Sequence, residues 1–219
     1  MTTIGQRLSP AAALPLRRLK RLTDIGFSLT ALLLLSPLLI AVVAAALIEQ
    51  LLSRRARGPL LYREHRVSRG VVFEILKFRI VVAASIEEAR QCGEPWSLRQ
   101  LEDDPGNLTT CGRYLKKWYL DELPQLVNVL RGDMSLVGPR PWAVKEYREQ
   151  LARGEDTKGL VPCGLFGPVQ AAKGTAYDTV ALETDYIESY RAMGTLALFR
   201  HDVANVYRGL RVLREGKGI

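Results

Sequence analysis

The chain has 219 residues, of which 47% are hydrophobic and 25% charged, and its net charge at pH 7 is +8. This length allows one ordinary core plus an additional segment, and no repeat of solenoid type is visible. Three cysteines without metal-like spacing and only two histidines argue against a disulfide framework and a zinc site, and favour a reducing compartment. The positive charge predicts an anionic partner, which is nucleic acid, an anionic membrane surface or a phosphorylated substrate.

A long apolar run follows a basic N-terminal segment. The basic residues at positions 17–21 precede residues 25–52, in which Glu49 is the only charged side chain. A run that is apolar on every face for this length is typical of a membrane segment. A buried core helix is one alternative, and a signal peptide cleaved near residues 44–46 is another. We assign residues 1–23 to a basic cytosolic segment, residues 24–52 to a membrane helix and residues 53–219 to a catalytic domain.

The charges that flank the apolar run indicate its topology. Arg54, Arg55 and Arg57 follow the run, so basic clusters lie at both of its ends, and such clusters favour the cytoplasmic side. Ser36-Pro37 interrupts the middle, where proline removes a backbone donor and bends a helix. These features predict a re-entrant helix that enters the membrane and turns back. A kinked single span is the alternative.

The most informative stretch is residues 119–141. Leu123, Leu126, Val127 and Leu130 recur at helical spacing, Pro124 suits a first helical turn, and Gly132 suits a helix exit. Asp121 and Glu122 should therefore lie just before a helix N-terminus, where the helix dipole favours ionised carboxylates. Two acids at this position act either as simple helix caps or as catalytic groups.

Cationic residues occur on both sides of this stretch. Residues 58–79 alternate in a pattern typical of two short strands joined by a Ser-Arg-Gly turn, and Lys77 and Arg79 close the second strand. Residues 82–110 are predicted to form a helix and a surface loop. A helix over residues 112–120 then brings Arg113 and Lys116 near the two acids. A solvated basic face is the alternative for the hairpin.

The remainder of the chain carries fewer chemical signals. Residues 142–157 show the charge pattern of an exposed helix, and residues 161–173 are predicted to form a loop. In the C-terminal helix, one face is apolar and the others carry arginines. That helix either lies at a membrane interface or packs on the protein's own core, and DNA binding is a third possibility. The apolar face comprises Phe199, Val203, Val206, Leu210 and Leu213.

The stretch from Asp121 to Pro141 resembles the signature of the bacterial sugar transferases, the monotopic polyprenyl-phosphate phosphoglycosyl transferases. The resemblance continues through the Lys-Arg-x-x-Asp element, which is Lys20, Arg21 and Asp24 here, and through the Ser36-Pro37 break. It implies that Asp121 is the nucleophile and a magnesium ligand, that Glu122 completes the catalytic dyad, and that Arg140 lies in the site.

Three parts of the chain depart from the family pattern. Ile80-Val81 replaces a Thr-Met pair after Lys77-Phe78-Arg79, and Lys116 stands where arginine is usual. The segment 161–173 keeps Gly164, Gly167 and Gln170 but lacks the family's leading arginine, tryptophan and asparagine. The candidate phosphate- or substrate-binding residues are Arg140, Lys77, Arg79, Arg113, Lys116 and Gln170.

The resemblance implies a mostly helical α+β protein with an N-terminal re-entrant membrane helix, a short β-hairpin and interfacial amphipathic helices. The expected reaction moves a sugar phosphate from a nucleotide-diphospho-sugar, of the UDP type, to polyprenyl phosphate with Mg²⁺ as cofactor, and it initiates assembly of a glycan such as an exopolysaccharide. The expected location is the cytoplasmic face of the bacterial inner membrane, with homo-oligomers possible and no nucleic acid partner. The alternatives are a non-catalytic membrane adaptor and a membrane-tethered nucleic-acid binder.

Overall fold

The computed structural model describes residues 3–92, 98–172 and 178–214 and shows a mostly helical α+β protein, as predicted. The helices are α1 (Arg18–Leu34), α2 (Ser36–Leu52), α3 (Ala83–Gln91), α4 (Leu98–Asp103), α5 (Thr110–Lys117), α6 (Gln125–Arg131), α7 (Val144–Ala152), α8 (Thr157–Leu160), α9 (Pro168–Ala171), α10 (Thr179–Ala192) and α11 (Thr195–Arg214). The strands are β1 (Leu61–Ser68), β2 (Val71–Phe78), β3 (Ser135–Val137), β4 (Trp142–Ala143) and β5 (Gly164–Phe166).

The chain divides into two compact units. The first contains the chain up to Thr30, Glu64–Ile75 and the residues from Gln125 onward, and the second contains Ala31–Arg63 and Leu76–Pro124. The predicted boundaries at residues 23/24 and 52/53 separate a membrane helix from the segments on either side of it. They depend on the position of the membrane and stay a prediction.

The apolar run forms two helices with a bend between them. Helices α1 and α2 meet at an angle of 59°, and Pro37 lies in the first turn of α2. The Ser36 hydroxyl donates to the carbonyl of Leu33 at 2.8 Å, which caps the end of α1. The predicted break is therefore confirmed. Within the described part of the chain, no single helix is long and apolar enough to cross a membrane. Helices α1 and α2 together have the length and composition of a membrane segment.

The hairpin forms where the sequence predicts it. Strands β1 and β2 are joined by Arg69 and Gly70, whose φ angles of 52° and 72° are both positive. Such a turn follows the twist of antiparallel strands and favours glycine. Strand β4 pairs with the other edge of β1, with Arg66 opposite Ala143, so the sheet has the order β2-β1-β4.

The hydrophobic core of the second unit includes a residue of α2, the second helix of the apolar run. Val42 of α2 belongs to the same buried cluster as Phe78, Ile80 and Leu115, and Leu120 packs against this cluster. One face of α2 therefore packs against the core of the second unit. The large hydrophobic side chains of α2 that are exposed are Leu38, Ile40, Leu47, Ile48, Leu51 and Leu52.

The first unit contains a parallel pair of short strands. In this pair Ser135 lies opposite Gly164 and Val137 lies opposite Phe166. The segment 161–173, predicted as a loop, therefore contains β5 and α9, while Lys173 lies outside the described residues. A loop prediction was wrong here because the segment's hydrogen-bond partner is a strand about 30 residues earlier, which local sequence does not reveal.

Helix α11 buries a different face from the one that its apolar pattern suggests. Among the side chains of α11 that the structure describes, which do not include that of Leu213, the buried residues are Leu198, Asp202, Asn205 and Gly209. Val203 and Leu210 are 51% and 50% exposed, and Phe199 is 39% exposed. Packing of this apolar face on the core of the first unit, one of the alternatives from sequence, is therefore wrong for these three residues. The cause is a polar contact, since Asp202 is drawn inward by Lys20 at 2.6 Å.

Candidate active site

A short irregular connection presents the acidic pair. Helix α5 ends at Lys117, and a 3₁₀ turn, Leu120–Glu122, precedes α6. Between them, Tyr119 has φ 55° and ψ 23°, which is the left-handed region. A non-glycine residue there costs about 1 kcal/mol or more. The chain thus accepts local strain at the residue that redirects it into the acidic pair, and the predicted position before a helix is confirmed.

One lysine faces both acids. Asp121 is only 6% exposed, and Glu122 is half-buried. The ammonium of Lys77, at the end of β2, lies 3.0 Å from Oε1 of Glu122 and 4.0 Å from Oδ2 of Asp121. The structure therefore brings together three of the residues singled out from sequence. Two carboxylates face one ammonium group at this position.

The electrostatics of Asp121 differ from the expectation. Burial, assisted by the negative charges of Glu122 and Glu102, raises the pKa of Asp121 to about 7, and Lys77 opposes this rise. The expectation that a helix dipole would favour the ionised form was wrong. The free-energy cost of removing a carboxylate from water is larger than the stabilisation that a helix N-terminus provides. A second cation or a cationic ligand would restore the ionised form.

Arg79, another predicted phosphate ligand, contacts the protein's own backbone. The guanidinium of Arg79 donates to the carbonyls of Ala56, Pro59 and Val81 at 2.6 to 2.8 Å. Burial lowers the pKa of Arg79, against the influence of Glu49. These bonds hold the segment that follows α2, so a phosphate role for Arg79 would require them to open.

Arg113 and Lys116 extend toward the end of α4 and the segment that follows it. Arg113 donates to the carbonyl of Pro105 at 3.2 Å, and Lys116 donates to that of Glu102 at 2.7 Å. Lys116 also lies 3.8 Å from Asp103. The phosphate roles of both residues stay predictions.

Arg140 and Gln170 belong to the first unit, whereas the acidic pair belongs to the second. Arg140 follows β3 in the loop that begins at Gly138, and this loop bonds the 161–167 segment: the amide of Gly138 donates to Phe166 and that of Gly164 to Pro139, at 2.9 and 2.8 Å. A Cβ on Gly138 would lie 2.2 Å from the carbonyl oxygen of Pro162, so only glycine allows this approach. Gln170 donates to the carbonyl of Leu165 at 3.4 Å.

The predicted membrane residues Lys20, Arg21 and Asp24 bind parts of the first unit. Lys20 pairs with Asp202, as described above. Arg21 donates to the carbonyls of Val129 and Leu130 at the end of α6, at 2.5 and 2.7 Å, and Asp24 accepts the amide of Leu136 at 3.0 Å. The three residues therefore fasten α1 to the folded unit.

Magnesium fits the donor set at the acidic pair. Among the described residues, no group of three or more His, Cys, Asp or Glu side chains can hold a metal alone. Mg²⁺ does not require such a cage, because it is usually held by one or two carboxylates together with substrate phosphates and water. Asp121 and Glu122 supply two adjacent carboxylates, and Lys77 pairs with both.

Sequence reasoning did not assign a role to three residues near this site. Glu49 accepts the amides of Thr110 and Cys111 at the start of α5. The negative charge of Glu102 raises the pKa of Asp121, and the backbone of Tyr119 is in the left-handed conformation. Of these, Glu49 carried a visible signal, because it is the lone charge of an apolar run.

Comparison with known proteins gives one consistent result. A family model described as bacterial sugar transferase matches residues 16–209. The undecaprenyl-phosphate galactose phosphotransferase of Salmonella typhimurium is 34% identical over 83% of this chain, which spans 39% of that relative. The exopolysaccharide production protein ExoY of Sinorhizobium fredii is 32% identical over 82% of this chain and 81% of its own length. The UDP-glucose:undecaprenyl-phosphate glucose-1-phosphate transferase of Caulobacter vibrioides is 34% identical over 83% of this chain and 66% of its own length.

Proposed function

The chain belongs to the bacterial sugar transferase family, and we propose that it transfers a sugar phosphate from a nucleotide-diphospho-sugar to a membrane polyprenyl phosphate. The names of two relatives describe transfer to undecaprenyl phosphate, and one names UDP-glucose as donor. A UDP-sugar is accordingly the donor class that we propose. The product, a lipid-linked sugar diphosphate, would start assembly of a glycan such as an exopolysaccharide.

The single observation that carries this proposal is the acidic pair, with Asp121 buried and Lys77 facing both acids, inside the signature on which the resemblance rests. In the proposed first step, a carboxylate oxygen of Asp121 forms a bond to the β-phosphorus of the donor. The bond from that phosphorus to the bridging oxygen breaks, and the nucleoside monophosphate leaves with the electron pair. In the second step, an oxygen of the polyprenyl phosphate attacks the same phosphorus and releases the Asp121 carboxylate.

The surrounding charges suit this chemistry. When bound, Mg²⁺ would neutralise diphosphate oxygens, and Asp121 with Glu122 would be its protein ligands. Lys77 favours the ionised form of Asp121, which is the nucleophilic form. Arg140 is our candidate for a forked contact to phosphate oxygens, since a guanidinium can donate two parallel hydrogen bonds.

The polarity of the N-terminal helix supports a membrane location. Helix α1 buries Lys20, Asp24 and Ser28, whereas it exposes apolar side chains such as Leu22 and Leu29. This is the inverse of a helix on a water-soluble core, in which the apolar stripe is inside. With basic clusters at both ends and the 59° bend, it supports a re-entrant segment with the catalytic residues at the cytoplasmic face.

The exposed apolar stripe of α11 supports an interfacial helix. Val203, Tyr207 and Leu210 are exposed on one face, and arginines such as Arg208 and Arg211 are close to this stripe. Apolar side chains beside cations suit the boundary between acyl chains and lipid phosphates. We therefore include α11 in the membrane-facing surface.

A donor screen tests the proposed activity. The detergent-solubilised or vesicle-bound protein is mixed with individual nucleotide-diphospho-sugars, Mg²⁺ and polyprenyl phosphate, and released nucleoside monophosphate is measured. Release that requires both lipid and Mg²⁺ supports the proposal. No release from any of a broad set of UDP-, GDP- and TDP-sugars would favour the non-catalytic adaptor.

A further inference from the structure

The one charged side chain of the apolar run is bonded to the helix that leads into the acidic pair. The carboxylate of Glu49, near the end of α2, accepts the amide of Thr110 at 2.6 Å and that of Cys111 at 2.9 Å. These residues are 61 and 62 positions away in sequence. Removing a carboxylate from water is costly in free energy unless it is hydrogen-bonded, so the location of Glu49 on an apolar helix calls for a specific bonding role.

Glu49 completes the N-terminal cap of α5. The first amides of an α-helix have no partner within the helix and must be satisfied by other groups. In α5 the Thr109 hydroxyl accepts the amide of Gly112 at 2.9 Å, as an N-cap residue normally does. Thr109 cannot also satisfy the amides of Thr110 and Cys111, so the two oxygens of Glu49 supply the cap that the local sequence lacks.

The other end of α5 leads directly to the acidic pair. Only Trp118 and Tyr119 separate α5 from the 3₁₀ turn that contains Asp121 and Glu122. Leu115 of α5 lies in the same hydrophobic cluster as Val42 of α2, and Leu120 packs against this cluster. Helix α5 therefore contacts α2 through a carboxylate at its first turn and through apolar side chains near its last.

We infer that Glu49 is a positioning residue for the reaction. It fixes the position of α5, and with it that of Asp121, relative to α2, the second helix of the apolar run. This inference rests on the proposed function. A lipid phosphate approaches from the membrane surface, so the nucleophile must be held at the matching height. A displacement of about 1 Å in a reacting group can reduce the rate about a hundredfold.

The first experiment compares Glu49→Ala with the wild type. Loss of both hydrogen bonds should lower kcat about 10- to 100-fold and change the donor KM by less than about threefold, because the donor-binding groups remain. Glu49→Gln keeps one acceptor and should lie between the two, and it is the variant to use if Glu49→Ala does not fold. Glu88→Gln, an exposed acid on α3, is the matched control and should leave kcat unchanged.

A second variant separates positioning from simple helix capping. Asp is a stronger N-cap than Thr, so Thr109→Asp in the Glu49→Ala background supplies a local carboxylate to the first turn of α5 without a link to α2. We expect this double variant to regain the melting temperature while kcat stays low. Recovery of kcat together with the melting temperature would overturn the inference, because capping alone would then suffice.

Amide hydrogen exchange tests the positioning role of Glu49 without any measurement of activity. If the wild type released no nucleoside monophosphate, the proposed function would be rejected, and the exchange experiment would still test the contact between Glu49 and α5. In Glu49→Ala, faster exchange that extends from residues 110–112 through residues 119–122 supports positional coupling. Faster exchange confined to residues 110–112 contradicts it.

Discussion

The ammonium of Lys77 lies 3.0 Å from Oε1 of Glu122, and the same group is 4.0 Å from Asp121. One positive charge thus faces two carboxylates, and it is closer to the acid that we do not assign as nucleophile. Asp121 is left partly uncompensated in a buried position. Such a residue destabilises the protein in its ionised form but is available to a metal ion and to phosphorus.

Asp121→Asn should stabilise the metal-free protein above neutral pH. The pKa of Asp121 is raised from 3.8 to about 7, so the stability linked to its proton is present below pH 4 and is lost as pH rises through 7. Asparagine does not titrate. The gain over wild type should be near zero at pH 4 and reach about 2–4 kcal/mol at pH 8.5, since one pKa unit is about 1.4 kcal/mol.

The measurement is the melting temperature of both proteins from pH 4 to 8.5 in the presence of a chelator. Asp185→Asn, at an exposed position of α10, is the control for the substitution itself. A pH-independent difference between Asp121→Asn and wild type would show that Asp121 is not buried in the manner described.

Arg140→Lys should lose at least about tenfold in kcat/KM although the charge is kept, because an ammonium cannot make the two parallel hydrogen bonds of a guanidinium. Arg131→Lys, at an exposed position, is the matched control. Steady-state kinetics and melting temperature are measured together. A lower melting temperature with near-normal kcat/KM would assign Arg140 a structural role.

The membrane topology is tested by cysteine labelling. In a background with Cys92 and Cys111 replaced, single cysteines at Pro15 and Arg54, which are both exposed, should react from the same side of sealed vesicles. The physical reason is that basic clusters flank both ends of the apolar run and the chain bends at Ser36-Pro37. Labelling from opposite sides would establish a single span.

Pro37→Ala extends this test. Restored backbone hydrogen bonding should allow a straighter helix, so one of the two cysteines should become less accessible from that side. Unchanged labelling would mean that the bend depends on more than proline.

The apolar stripe of α11 should contribute to membrane binding and not to folding. Val203→Asn and Leu210→Asn together should reduce flotation with anionic vesicles several-fold, while the melting temperature changes little because both side chains are about half exposed. Glu188→Asn, on the exposed face of α10, is the control. A large drop in melting temperature with unchanged flotation would assign the stripe to a protein contact.

Local signals predicted much of the fold. The Ser-Arg-Gly turn, the Ser36-Pro37 break and the exit of α6 at Gly132 each depend on the conformation of a few adjacent residues, and all three are as expected. The spacing of apolar residues predicted α6 and the C-terminal helix α11 for the same reason, whereas α10 was not predicted. These features lie on a scale at which propensity and backbone geometry decide the outcome.

Long-range pairs were beyond such reasoning. The bond from Lys20 to Asp202 lies on the buried face of α11, and it joins residues 182 positions apart. The same holds for β3 with β5 and for Glu49 with α5. At the candidate site, the acids were visible in the sequence, whereas their desolvation depends on the surrounding chain and changed the expected direction of the Asp121 pKa.

The central claim is that Asp121 forms a covalent bond to the sugar phosphate, and rapid-quench mass spectrometry of the Asp121 peptide tests it most directly. The protein is mixed with donor and Mg²⁺ without polyprenyl phosphate, quenched and digested. We expect the peptide to gain the mass of one sugar phosphate in the wild type, a trace in Glu122→Gln and none in Asp121→Asn, whose amide is a poor nucleophile. An adduct that persists in Asp121→Asn, or a wild type that turns over without ever carrying one, would contradict the account.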